Sequence, residues 1–395
     1  MLHRILSTII VAFVCIAASA QDVCVIKGNL ADYRMSDGKK MKKVALVRTD
    51  EFGREVEVAT AKVKKGEYKF KHKLSKDEPV LLYHIVGFGE AGAVEVFVEA
   101  GEVVVNTPSI ANVGQSVVTG TPTNDVYAGY KAIYRTGEEE VAAIVAELEA
   151  RNGKAWMQSV DGKAAVKRIK AKESIKTESQ ALRYLIDNNA SPMTPYVIEH
   201  SWLPKLTAAY ADQMLKTIHF SLANHPYYLS LRNRVLANDL KVGNELPDIA
   251  LPLRSGEVKK LSDFRGKYVV LNFWTNDCPK SADMLAEMKN LYEVVKENQD
   301  QFVIINFALV RDAVVWHIVV NVNEMDRESW LNACDLAGAD SPAAKLLGVD
   351  KAPRILLIEQ EGRAVSLDMD IDEVVMRVEQ ILSGDLYYYD QADYK

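Results

Sequence analysis

Tyr268-Val-Val-Leu-Asn-Phe-Trp274 runs without a break into Thr275-Asn-Asp-Cys278-Pro-Lys-Ser281, and this junction decides the fold. Its first seven residues are apolar but for one asparagine, the pattern of a strand covered on both faces. A short polar turn follows, and from Asp283 to Asn298 apolar residues recur at helical spacing. Pro279 suits a first helical turn, where its missing N–H costs nothing. The Cys278 sulfur is therefore expected at a helix N-terminus, where unpaired N–H groups and the helix dipole favour a thiolate. Lys280 adds positive potential. Two readings of Cys278 stand: a nucleophile, which so polar a turn favours, and an inert packing residue.

Outward from this junction the text stays α/β. Phe302-Val-Ile-Ile-Asn-Phe-Ala308 and Arg354-Ile-Leu-Leu-Ile358 read as two more buried strands, with a turn at Gln360-Glu-Gly362 and a closing helix from Ile371 to Ser383. Buried strands separated by helices require a sheet with both faces covered. Val314 to Val322 fits a strand by its β-branched content and a helix by its flanks. Upstream, Glu138 to Ala150, Ala164 to Ile175, Gln180 to Asn188 and Lys205 to Ala223 read as helices, with starts at Ser191-Pro192 and Thr194-Pro195. The charge runs Glu138-Glu139-Glu140 and Lys167 to Lys172 read as solvated helix faces. Further upstream, Val44 to Arg48, Glu55 to Val58, Tyr68 to Leu74 and Val94 to Val98 read as short strands. Turn signals at Asp37-Gly38, Phe52-Gly53, Lys65-Gly66 and Ala100-Gly101 separate them. The expected fold is multidomain α+β. An N-terminal antiparallel β-sandwich spans 21–122, a helical middle 123–240, an α/β domain 241–384 and a tail 385–395.

The first twenty residues read as a secretory signal. An apolar run from Ile5 to Ala17, too short to span a bilayer, precedes Ala18-Ser19-Ala20, an A-x-A cleavage site. The mature chain would begin near Gln21 in the periplasm or cell envelope, with no membrane span. Over 395 residues, 54 acidic side chains outnumber 48 basic ones, giving a formal net charge of −6 that argues against a nucleic-acid partner. Of four cysteines, Cys15 falls within the signal, leaving Cys24, Cys278 and Cys334, so pairing within one chain leaves at least one thiol free. With no C-x-x-C and no H-x-x-x-H, a zinc site has no support, and the scattered histidines are expected to be structural. Composition does not fix the oligomeric state.

The segments Gly243-Asn-Glu-Leu-Pro-Asp-Ile-Ala-Leu251 and Leu261-Ser-Asp-Phe-Arg-Gly-Lys-Tyr-Val-Val-Leu-Asn-Phe-Trp274 resemble the opening of exported thioredoxin-like proteins of the TlpA/ResA type. Leu347-Gly-Val-Asp-Lys-Ala-Pro353 resembles the cis-proline loop of that family, and Glu361-Gly-Arg363 its following hairpin. Ile26-Lys-Gly28, Lys65-Gly-Glu-Tyr68, Val98-Glu-Ala-Gly101 and Val118-Thr-Gly-Thr-Pro-Thr-Asn124 resemble a domain of unassigned function that precedes such thioredoxin domains in Gram-negative envelopes. The resemblance implies thiol–disulfide exchange with protein or peptide partners and no cofactor. Cys278 would be the nucleophile, and Pro353 with Ala352 would hold an extended peptide, flanked by Trp274, Pro279 and Lys280. The departures weigh as much. Where the family has its second cysteine this chain has Ser281, and the family's following Arg, Glu and Pro are Ala282, Met284 and Ala286. The motif is C-x-x-S, which can attack a disulfide but cannot expel the product locally. Cys334 is the remaining candidate for a resolving thiol, though its residue type favours a small core residue; Cys24 is expected to be buried or paired elsewhere. The competing function is a non-catalytic binding module with a vestigial Cys278. A one-cysteine peroxidase lacks the flanking Thr and Arg and ranks last.

Overall fold

The computed structural model describes residues 22–34, 38, 40–49 and 55–384. The expected signal segment, the turns at Asp37 and at Phe52-Gly53, and the tail 385–395 lie outside them. The chain divides into two compact units, Met1–Thr194 and Pro195–Lys395. Among the described residues no helix is long and apolar enough to cross a membrane.

Among the described residues of the first unit, eight strands build two four-stranded sheets. They are β1 (Val23–Leu30), β2 (Lys43–Thr49), β3 (Glu55–Lys62), β4 (Glu67–Lys73), β5 (Leu81–Val86), β6 (Val94–Val98), β7 (Gly101–Thr107) and β8 (Val117–Thr119). One sheet has the order β4-β1-β7-β8 and the other β3-β2-β5-β6. Alternation along the strands sends Ile26, Phe70 and Val103 from one sheet, and Leu46, Ile85 and Val96 from the other, into a shared core. The expectation of a wholly antiparallel arrangement needs one correction: β1 and β7 run parallel, with Ile26 opposite Val103. The reason is topological, since β1 enters between β4 and β7 and pairs antiparallel with β4.

A helical hairpin follows, formed by α1 (Pro122–Asn152), the short α2 (Lys154–Gln158) and α3 (Val160–Asp187). Asn124 pins its start. The buried amide of Asn124 accepts from the Phe97 N–H at 2.9 Å and donates to the Phe97 carbonyl at 2.8 Å, bonding the first turn of α1 to β6. Two glycines inside α1 let the hairpin close: a Cβ at Gly129 would meet the Tyr184 hydroxyl at 2.2 Å, and one at Gly137 the Thr177 Oγ1 at 2.3 Å.

The chain then continues through α4 (Met193–Val197), a π-helical turn at Ile198–Trp202, α5 (Ala208–Thr217) and α6 (Pro226–Ala237). Thr194-Pro195 therefore lies inside α4 rather than starting a helix, the Thr194 hydroxyl donating back to the Asn188 carbonyl at 2.7 Å. The second unit next forms a small ribbon of β9 (Ala250–Pro252) and β10 (Val258–Lys260). Its main sheet contains β11 (Tyr268–Trp274), β12 (Phe302–Ala308), β13 (Trp330–Ala333), β14 (Arg354–Ile358) and β15 (Ala364–Met369), in the order β13-β12-β11-β14-β15. The first three of that order are mutually parallel and the last two antiparallel. Helices α7 (Pro279–Val295), α8 (Ala313–Val322) and α10 (Ile371–Leu382) contribute to the core on one face, and α9 (Pro342–Leu346) to the core on the other. The ambiguous Val314–Val322 is thus helical, because the Asp312 carboxylate caps the N–H groups of Val314 and Val315. The part of this unit from Ala250 to Leu382 has the architecture of a thioredoxin-like domain.

Candidate active site

β11 ends at Trp274, whose ring is almost wholly buried and whose indole N–H has no hydrogen-bond partner among the described residues. Thr275 bonds the Asp277 carboxylate at 2.5 Å, and this shapes the polar turn. Cys278 is the N-cap of α7, in an extended backbone conformation (φ −107°, ψ 116°) and with no capping bond from its side chain. Its sulfur is half-buried and free. Pro279 opens the helix and Lys280 is exposed. The sequence-level placement of sulfur, proline and helix start corresponds to this geometry.

Ser281 is turned into the fold. It is fully buried, its N–H bonds the Cys278 carbonyl at 3.0 Å, and its hydroxyl accepts from the Thr275 N–H at 3.3 Å. That hydroxyl therefore closes the turn from the inside. The Ala352–Pro353 peptide is cis, and both residues are half-buried.

Lys280 and Pro353 meet along one groove of about 490 Å³, with Met284, Ile355, Met369 and Ile371 supplying its apolar wall. Asp283, Glu287, Asp368 and Asp370 also line it. Sequence reasoning missed most of these. The helical set Lys280, Asp283, Met284 and Glu287 was available from its i, i+3, i+4, i+7 spacing. Asp368 to Ile371 reach the groove only through the pairing of β15 with β14, which no local pattern announces.

The other two thiols lie in cores. Cys334 follows β13, is buried beside Trp274 and Trp330, and its Sγ donates to the Val310 carbonyl at 3.6 Å while accepting from the Leu336 N–H at 3.4 Å. Burial pushes its pKa up. Cys24 is fully enclosed in the first unit, and burial pushes its thiol up to about 11. All three described cysteines are free. Among the described residues no group of three His, Cys, Asp or Glu side chains is placed to hold a metal ion.

Residues 242–363 match the AhpC/TSA family, and residues 24–127 match a domain of unknown function, DUF4369. Over 65 residues the chain is 35% identical to the thiol-disulfide oxidoreductase ResA of Geobacillus kaustophilus, covering 16% of this chain and 37% of that one. Over 122 residues it is 25% identical to ResA of Geobacillus thermodenitrificans, covering 31% and 66%. The chain thus spans less than two thirds of the length of either relative. A thiol-disulfide oxidoreductase structure from Bacteroides fragilis aligns at 25% identity and a TM-score of 0.33, over 35% of this chain and 99% of that one. Residues 242–363 thus carry a thioredoxin-like domain that matches the AhpC/TSA family and is similar to ResA-type thiol-disulfide oxidoreductases, and a match to DUF4369 precedes it.

Proposed function

We propose that this protein is an exported, monothiol member of the thiol–disulfide exchange group, weak as a reductase and suited to holding a partner through Cys278. The observation that carries the reading is the difference in burial at the start of α7: a half-buried, free Cys278, and a fully buried Ser281 whose hydroxyl is bonded to the Thr275 N–H. In the first step the Cys278 thiolate attacks one sulfur of a partner disulfide. A Cys278–partner S–S bond forms, the partner's own S–S bond breaks, and its second sulfur leaves as a thiolate. Release requires another thiolate to attack that new bond. A serine hydroxyl cannot supply it. Cys334 is a poor substitute, since burial keeps its thiol protonated and its sulfur is engaged by backbone. A thiol from solution would therefore complete the cycle.

The groove that Pro353 shares with Lys280 supports an extended peptide as the partner. Export to the periplasm or envelope is part of the proposal and rests on the apolar run ahead of Ala18-Ser19-Ala20. So are the domain limits of 21–122 for a β-sandwich, 123–240 for the helices and 241–384 for the thioredoxin-like part.

Exposure to oxidised glutathione, followed by intact-mass and peptide mapping, tests the chemistry. One glutathione is expected on Cys278, absent in Cys278→Ser, and stable until dithiothreitol is added. No adduct at all would leave only a binding module, and an adduct that clears unaided in wild type but not in Cys334→Ser would make Cys334 the resolving thiol.

A further inference from the structure

The far half of the α1–α3 hairpin has no core of its own. On α1 the last buried residue is Gly137, and on α3 the buried positions resume at Glu173; between them only Gly162 is buried. Yet this stretch is rich in apolar side chains. Ile144 is 37% exposed and Val160 84%, and Ile175 beside the boundary is 67% exposed. Helices of this length draw most of their stability from a covered apolar face, so an uncovered one calls for a partner.

Charge on the two arms is segregated. Residues 138–150 of α1 contain five glutamates and no basic residue, and residues 163–172 of α3 contain five lysines and arginines and no acidic one. Within one chain the arms use little of this. Lys176 bonds Glu140 at 2.5 Å, but among the described residues Glu138, Glu139, Glu147 and Glu149 form no ion pair. Between the arms runs a groove of about 590 Å³. Tyr134, Val141, Ala142 and Val145 line its apolar part, Glu138 stands on the α1 bank and Lys170 on the α3 bank.

We propose that this half-hairpin is the contact through which two copies of the chain associate. A two-fold axis lays the acidic arm of each copy along the basic arm of the other, because an isologous contact matches residue i with j and j with i. The result is a four-helix bundle with the groove residues at its seam and opposite charges at its edges. Any partner with one sign of charge would satisfy one arm and repel the other; a second copy satisfies both.

Sedimentation of the full chain tests this at about 100 µM, where an association of micromolar strength is nearly complete. The expected result is twice the chain mass in low salt, falling toward the chain mass as salt is raised. Two charge reversals follow: Glu138→Lys, Glu147→Lys and Glu149→Lys together, and Lys163→Glu, Lys167→Glu and Lys170→Glu together. Each variant alone should sediment at the single-chain mass, and an equimolar mixture should recover the doubled mass. Recovery also shows that both variants are folded, and helical circular dichroism checks each one separately. Wild type that stays at the single-chain mass overturns the proposal. So does a doubled mass that survives in both folded variants on their own, and so does a mixture of folded variants that stays single.

Discussion

With its hydroxyl turned to the Thr275 amide, Ser281 occupies a place that a thiol could take with little rearrangement of the turn. Ser281→Cys is therefore expected to raise insulin reduction by about tenfold or more over a nearly inactive wild type, because the product can then be expelled intramolecularly. The gain would be limited by Met284, one turn along the helix, whose thioether cannot take up the proton of the new thiol. Wild-type turnover equal to that of the Ser281→Cys variant would show that the serine is no obstacle. The same residue illustrates what was legible at this scale. Identity and spacing gave Cys278 its helix-capping position and exposed the missing thiol, but the inward bond of Ser281 required coordinates.

Among the elements, the buried strands were easy to read, since β11 and β12 are apolar on both faces and strands of a doubly covered sheet must be. The asparagine within each of those runs was not legible. In the sheet Asn272, Asn306 and Asn332 fall opposite one another across β11, β12 and β13. Asn272 donates to the Asn306 side-chain oxygen at 2.9 Å, and Asn332 donates to the Met325 carbonyl at 2.8 Å. Only the strand register brings them into a row. Asn306→Ala would leave the Asn272 amide buried without its acceptor and open a small void. A loss of about 2–4 kcal/mol is expected in chemical denaturation; a change below the measurement error would mean that the row carries no stability. Helix continuity was misread for a related reason. Glycines and a polar stretch interrupt the apolar pattern of α1 and α3, yet Gly129 and Gly137 serve the close approach of the two helices rather than breaking them. Fold class therefore follows from pattern, and groove walls and polar rows follow from register.

At the scale of the whole molecule, stability is expected to respond to a thiol that takes no part in the proposed chemistry, Cys24 of the first compact unit. Burial raises Cys24 from 9.0 to about 11, so between those values the native protein keeps a proton that the unfolded chain has released. The unfolded state then binds fewer protons, and stability falls as pH rises through that window. Melting temperature should drop between pH 9 and 11, and the drop should be shallower in Cys24→Ala. Equal slopes for the two proteins would remove Cys24 from the account.

The order of synthesis adds a constraint of its own. Of the described strands β1 is made before the others, but one of its neighbours, β4, ends at Lys73 and the other, β7, only at Thr107. For the 34 residues between those two points, one side of β1 has no ladder to join. At ribosomal speeds that delay is on the order of a few seconds. β1 is therefore flanked on both edges only once β7 has been made, and the nascent N-terminal sheet must stay open on that edge until then.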